Sequence, residues 1–136
     1  MPSRIRELTD PFGLRLRVSV ERHPKGALVA LERHDITGAP RVLLDGYGAE
    51  LLSGFIMAGR LALPHPLPDE RCAGAFPFVL SLTHEPKVSI RIRQDGDGET
   101  LEIPAPFWDK LYAELCLVIP HAREFTRSAG GRALVH

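Results

Sequence analysis

At 136 residues the chain fits one compact domain (residues 1–136), and its 44% hydrophobic and 25% charged content is that of an ordinary globular protein. Seventeen basic and seventeen acidic residues cancel, which excludes bulk electrostatic attraction to nucleic acid or to an anionic membrane. No apolar run reaches the ~18 residues of a membrane span and the first residues carry no signal-peptide core, so no membrane partner and a cytoplasmic location are expected.

Taken in chain order, the first element is a strand at 14–20. Leu14, Leu16, Val18 and Val20 alternate with Arg15, Arg17, Ser19 and Glu21, a period-2 pattern with one buried face. His23, Pro24, Lys25 and Gly26 supply turn chemistry. A second strand over about 27–34 places Val29 and Leu31 inward and Ala30 and Glu32 outward. The loop 35–40 leads to a third strand at 41–44. A helix follows over about 49–61, with Leu51, Leu52, Phe55, Ile56, Met57 and Leu61 on nearly all sides and Gly54, Ala58 and Gly59 leaving flat patches. Gly46 and Gly48 before it read as a turn, because the third glycine of a dinucleotide-binding fingerprint is missing and the strands are not parallel.

Residues 63–75 are a Pro-rich linker, after which the plan repeats. Residues 76–87 run in step with 14–25: apolar positions match, Ser81 falls on Ser19, and Pro86-Lys87 falls on Pro24-Lys25. Phe76, Phe78, Leu80 and Leu82 point inward, then Ile90 and Ile92 point inward against Ser89, Arg91 and Arg93. Asp95, Gly96, Asp97 and Gly98 form a hairpin signal before a strand at 100–103. A second helix over about 106–119 carries Trp108, Leu111, Tyr112, Leu115 and Val118, and Pro120 is expected to end or kink it. Residues 128–136 are expected to be a disordered tail. The fold class is α+β: two pseudo-repeated βββα units, 14–62 and 76–127, with antiparallel sheets and packed helices.

On these repeated units the chain resembles the superfamily that contains the Whirly and Pur proteins. The resemblance is one of topology, covers about 14–127 and carries no diagnostic motif. It implies tandem sheet-plus-helix units that bind single-stranded nucleic acid on their sheets, with helices packed between units. Units of those families usually hold four strands, one more than the pattern here yields, and are commonly more basic on the binding face.

The corresponding candidate surface is the outward sheet face: Arg15, Arg17, Arg91 and Arg93, with Arg33 and Arg41 nearby. Single-strand binders pair such cations with stacking aromatics, for which Tyr47, Phe107 and Trp108 are the candidates. The competing account is a solvated face on which Arg15 and Arg17 sit across from Glu32, and Arg91 and Arg93 across from Glu102. The alternative function is a protein-interaction or scaffold domain acting through the first helix, with Gly54, Phe55, Met57 and Ala58 at a homodimer interface. Six histidines lack ligand spacing, Cys72 and Cys116 form no zinc pair, and Ser53 has no nucleophile-elbow context. No metal, cofactor or enzymatic activity is expected.

Overall fold

The computed structural model describes residues 2–24, 26–96 and 99–135. Lys25, Asp97 and Gly98 of the two expected turns lie outside the described residues, as does His136.

Two four-stranded antiparallel sheets are each followed by a helix. The first sheet runs β1 (Pro2–Thr9), β2 (Arg15–His23), β3 (Gly26–Arg33) and β4 (Arg41–Leu44) in sequential order, followed by α1 (Gly46–Ala62). The second runs β5 (Glu70–Cys72), β6 (Phe78–Thr83), β7 (Ser89–Gln94) and β8 (Thr100–Pro104), then a single 3₁₀ turn and α2 (Trp108–Val135). The α+β class, the antiparallel sheets and the two repeated units are as the sequence predicts.

Each unit has one strand more than the pattern showed. The parity of β1 that faces the helices carries Arg4, Arg6 and Leu8, because α2 offers those arginines a carboxylate, Glu114. Its alternation is therefore charged on both faces. β5 lies inside the Pro-rich stretch and buries one side chain, Cys72, too short a signal for periodicity to register.

The repeat survives in register. Leu16, Val18 and Val20 of β2 and Phe78, Leu80 and Leu82 of β6 all point to the core, while Ser19 and Ser81 lie on outward faces. Phe76 lies outside β6 and meets His23 edge-on, with 5.1 Å between ring centroids.

The two units share one core. α2 packs on β2 and β3 of the first sheet, while α1 lies against β5 and β6 of the second as well as β3 and β4. Specific bonds fasten the crossing. The Ala27 N–H donates to Thr126 Oγ1 at 2.9 Å, and the Leu43 N–H to Gln94 Oε1 at 2.6 Å. Trp108, fully buried, donates its indole N–H to the Ile103 carbonyl at 2.8 Å.

Both glycines of the expected turn before α1 belong to the helix instead. Asp45 is the N-cap, its Oδ1 accepting the Gly48 N–H at 2.7 Å. Gly48 is required by packing: a Cβ there would lie 2.8 Å from Phe78 Cε1.

α2 does not stop at Pro120, and residues 128–135, expected to be a disordered tail, continue it. Pro120 and Cys116, one turn before it, are both exposed. The carbonyl that loses its N–H partner therefore faces solvent, which makes a proline tolerable inside a helix.

Candidate nucleic-acid interface

The outward face of the first sheet is electrically interleaved. One cross-strand row reads Glu7, Arg17, Glu32, Arg41, and each neighbour is in direct register. Arg15 pairs with Glu7 at 3.0 Å rather than with Glu32, and Arg41 pairs with Glu21 at 2.6 Å. His34 contacts both Glu32 and Glu7. The next row, Ile5, Ser19, Ala30, Leu43, is uncharged. Arg17 is exposed, and among the described residues it has no ion-pair partner, but a carboxylate residue flanks it on each neighbouring strand.

Arg33 is not part of this face. Its parity turns it toward the second unit, where Nη1 donates to the Glu102 carbonyl at 2.8 Å. Nε and Nη2 donate to the two oxygens of Asp35 at 3.1 and 2.5 Å. Its side chain is only 13% exposed. The Arg33 guanidinium, hydrogen-bonded to Asp35, holds that carboxyl below the usual carboxylate range, and the Arg15 N–H adds to the effect against the opposing cost of burial. Arg33 is a clamp between units and is removed from the candidate binding set.

The second sheet differs. Its outward rows are Arg71, Val79, Arg93, Thr100 and then Ser81, Arg91, Glu102. Arg91 is tied to Glu102 at 2.8 Å, as the cross-strand reading expected. Arg93 is opposed by Val79 and Thr100 instead of an acid, and it is exposed without an ion-pair partner among the described residues. Arg71 joins it from the other side of Val79, paired to Asp95 at 2.9 Å yet 58% exposed. Sequence reasoning missed Arg71 because β5 was hidden in the Pro-rich stretch. Its spacing from Cys72 is the one local signal, since a buried Cys fixes the parity of its neighbour.

The aromatic candidates divide sharply. Phe107 and Trp108 are buried in the core and cannot stack on a base, whereas Tyr47 stands 63% exposed on α1, away from both outward faces. Among the described residues, no Phe, Tyr or Trp lies on the outward parity of either sheet.

Of the helix residues expected at an interface between copies, Phe55 is corrected: it is 2% exposed and packs in the core. Gly54 and Met57 are exposed and Ala58 is half-buried. Tyr47 and Leu61, the latter 79% exposed, extend that outward strip to both ends of α1.

Among the described residues no group of His, Cys, Asp and Glu is arranged to hold a metal ion, and no helix is long and apolar enough to cross a membrane. Burial pushes the Cys72 thiol up, with the Asp45 and Glu70 carboxylates adding to the shift.

In comparison with known proteins, no family model matches the chain and no curated protein is detectably similar.

Proposed function

We propose that the protein is a non-catalytic module that binds single-stranded nucleic acid through the outward face of its second sheet. The observation that carries the reading is Arg93: an exposed guanidinium set between Val79 and Thr100, with Arg71 in the same row and Arg91 two residues along the same strand. Hydroxyls of Ser81 and Thr100 lie in the same two rows. Such a patch suits a phosphate backbone and carries no means of reading bases, so binding fixes position without sequence preference. The fourth strand in each unit brings the topology closer to the Whirly and Pur arrangement and supports the same reading. The first sheet, with its acids and bases alternating, is left out of the contact.

The test is fluorescence anisotropy of labelled single-stranded DNA and RNA on the intact chain. One to three neutralised phosphates, according to whether Arg71 and Arg91 leave Asp95 and Glu102, give a salt slope of about −0.7 to −2 for a single strand, so raising salt from about 50 to about 200 mM weakens binding roughly 3- to 20-fold. Arg93→Glu with Arg91→Glu is expected to abolish binding, and Arg17→Glu to leave it nearly unchanged. Absence of binding at the lower salt, or binding indifferent to Arg93, sinks the proposal.

A second reading, a protein-interaction domain acting through α1, is favoured by the exposure of Tyr47, Met57 and Leu61 on one helix.

A further inference from the structure

We propose that the open edge of β1 is a docking site for an extended peptide segment, which joins the first sheet as a further antiparallel strand. Its alternate side chains then lie in the groove between β1 and α2. The inference does not rest on nucleic-acid binding. It begins from where the backbone of β1 points. Arg15 turns both its peptide groups away from β1: its carbonyl accepts the His34 N–H at 2.9 Å and its N–H donates to Asp35. Thr9, opposite Arg15, therefore directs its own N–H and carbonyl out of the sheet, and Lys110 of α2 donates to that carbonyl. Pairing alternates along an antiparallel ladder, and the register runs unbroken from Thr9 back to Arg4. Glu7 and Ile5 thus present the same outward groups, two donors and two acceptors at strand spacing. Among the described residues nothing pairs with them.

The other three sheet edges are closed or short. The Leu43 N–H of β4 is taken by Gln94, the Glu102 carbonyl of β8 by Arg33, and β5 has only three residues. Among the described residues, β1 alone offers a partner consecutive open positions on a strand of eight residues.

Main-chain groups in this spacing are answered by another strand, and the side chains beside them select which one. A groove of about 340 Å³ lies between residues 6–9 of β1 and Lys110, Ala113, Glu114 and Leu117 of α2. Leu8, Ala113 and Leu117 are its apolar part. Its spare charge is positive. Glu114 is bonded to Arg4 at 2.5 Å and Glu7 to Arg15 at 3.0 Å. Arg6, by contrast, is 57% exposed with its nearest carboxylate at 3.6 Å, and Lys110 meets a carbonyl. The segment therefore carries an acid where it passes Arg6, with a β-branched residue two places to either side. A second copy of β1 does not meet this requirement. Antiparallel copies centred on Ile5 set Arg4 against Arg6, and those centred on Arg6 or Glu7 set each residue against itself. Like charges directly opposite are destabilising.

The probe is a fluorescein-labelled, amidated peptide, Thr-Val-Thr-Asp-Thr-Val-Thr, whose Val and Asp side chains share one face. Fluorescence polarisation with the intact chain, up to about 1 mM, is expected to show saturable binding. Asn in place of the peptide's Asp should weaken it about threefold. Antiparallel addition turns the amides of the threonines flanking Asp toward β1. Methylating those two nitrogens should weaken binding at least about tenfold, while methylating the Asp and Val nitrogens should change it by less than about twofold. On the chain, Ile5→Pro removes an edge donor and spares the β1–β2 ladder, because that N–H faces outward. It should weaken binding at least about tenfold with circular dichroism as in the parent. A chain that binds no peptide overturns the proposal. So does binding that the two methylated peptides retain or lose together, or that Ile5→Pro leaves unchanged.

Discussion

Glu114, 3% exposed on α2, receives the Arg4 guanidinium of β1 at 2.5 Å, with Arg6 at 3.6 Å on its other oxygen. The contact joins residues 110 positions apart and fixes the edge strand of the first sheet to the helix of the second unit. A buried carboxylate stripped of its closest cation is costly, while an apolar pair of similar volume avoids the charge altogether. Arg4→Ala is therefore expected to destabilise by about 2–3 kcal/mol. The double variant Arg4→Met with Glu114→Met is expected to recover most of that loss. Urea melts of the two variants and their parent decide it; equal losses in both would mean the pair contributes packing alone.

Two glycines of α1 make an opposed pair of expectations. Replacing glycine by alanine in a helix interior ordinarily stabilises by ~1 kcal/mol. At Gly54 nothing obstructs a Cβ, so Gly54→Ala should gain about 0.5–1 kcal/mol. At Gly48 the new atom would press on Phe78 Cε1 at 2.8 Å and Cζ at 3.2 Å, and both it and the ring are buried. Gly48→Ala should lose about 1–2 kcal/mol despite its better propensity. Thermal melts at low protein concentration, of opposite sign for the two variants, are the check.

The strands legible in the sequence are those whose inward parity is apolar: Leu16, Val18 and Val20 of β2, Val29 and Leu31 of β3, Val42 and Leu44 of β4, Phe78, Leu80 and Leu82 of β6, Ile90 and Ile92 of β7, and Leu101 and Ile103 of β8. β1 escaped because its inward parity answers a carboxylate on a helix more than a hundred residues away, which no local window contains. The same limit hid the role of Arg33. Its neighbour Asp35 is visible in the sequence, but the Glu102 carbonyl that its third nitrogen reaches is not. The opposite outcome holds for Arg91, whose pairing with Glu102 follows from strand register alone. Arg93 sits two residues further along the same strand and has Thr100 across from it, so one register step separates a neutralised cation from an open one. On α1 the apolar surplus was plain, but placing Phe55 on the inside required knowing which side the second sheet covers.

The two thiols are expected to react at very different rates. Cys116 is exposed on α2, whereas Cys72 is 1% exposed, its thiol raised by burial and by the nearby Asp45 and Glu70 carboxylates. Low thiolate fraction and lack of access act in the same direction. A thiol-reactive chromogenic disulfide should titrate one cysteine at once and the second at least about 100-fold more slowly, in step with unfolding. Cys116→Ser should remove the fast phase and leave the slow one; fast reaction in that variant would show that β5 opens from the sheet edge.

Asp35 gives the fold a dependence on acid whose sign can be worked out. Its carboxyl accepts two hydrogen bonds from Arg33 and the Arg15 N–H, and these hold its pKa below the ordinary 3.8. The folded state thus favours the ionised form. That stabilisation is fully present above the ordinary value and is lost as pH falls through the lower, folded one. Asp35→Asn keeps the size but removes the charge, so it should cost about 1–2 kcal/mol at pH 7. The gap between variant and parent should then narrow steadily below pH 3.8, because protonation makes the parent resemble the variant. Urea melts of both proteins across this range would show the convergence. A gap of constant size would instead assign the loss to geometry at the Arg33 clamp, with no contribution from the charge.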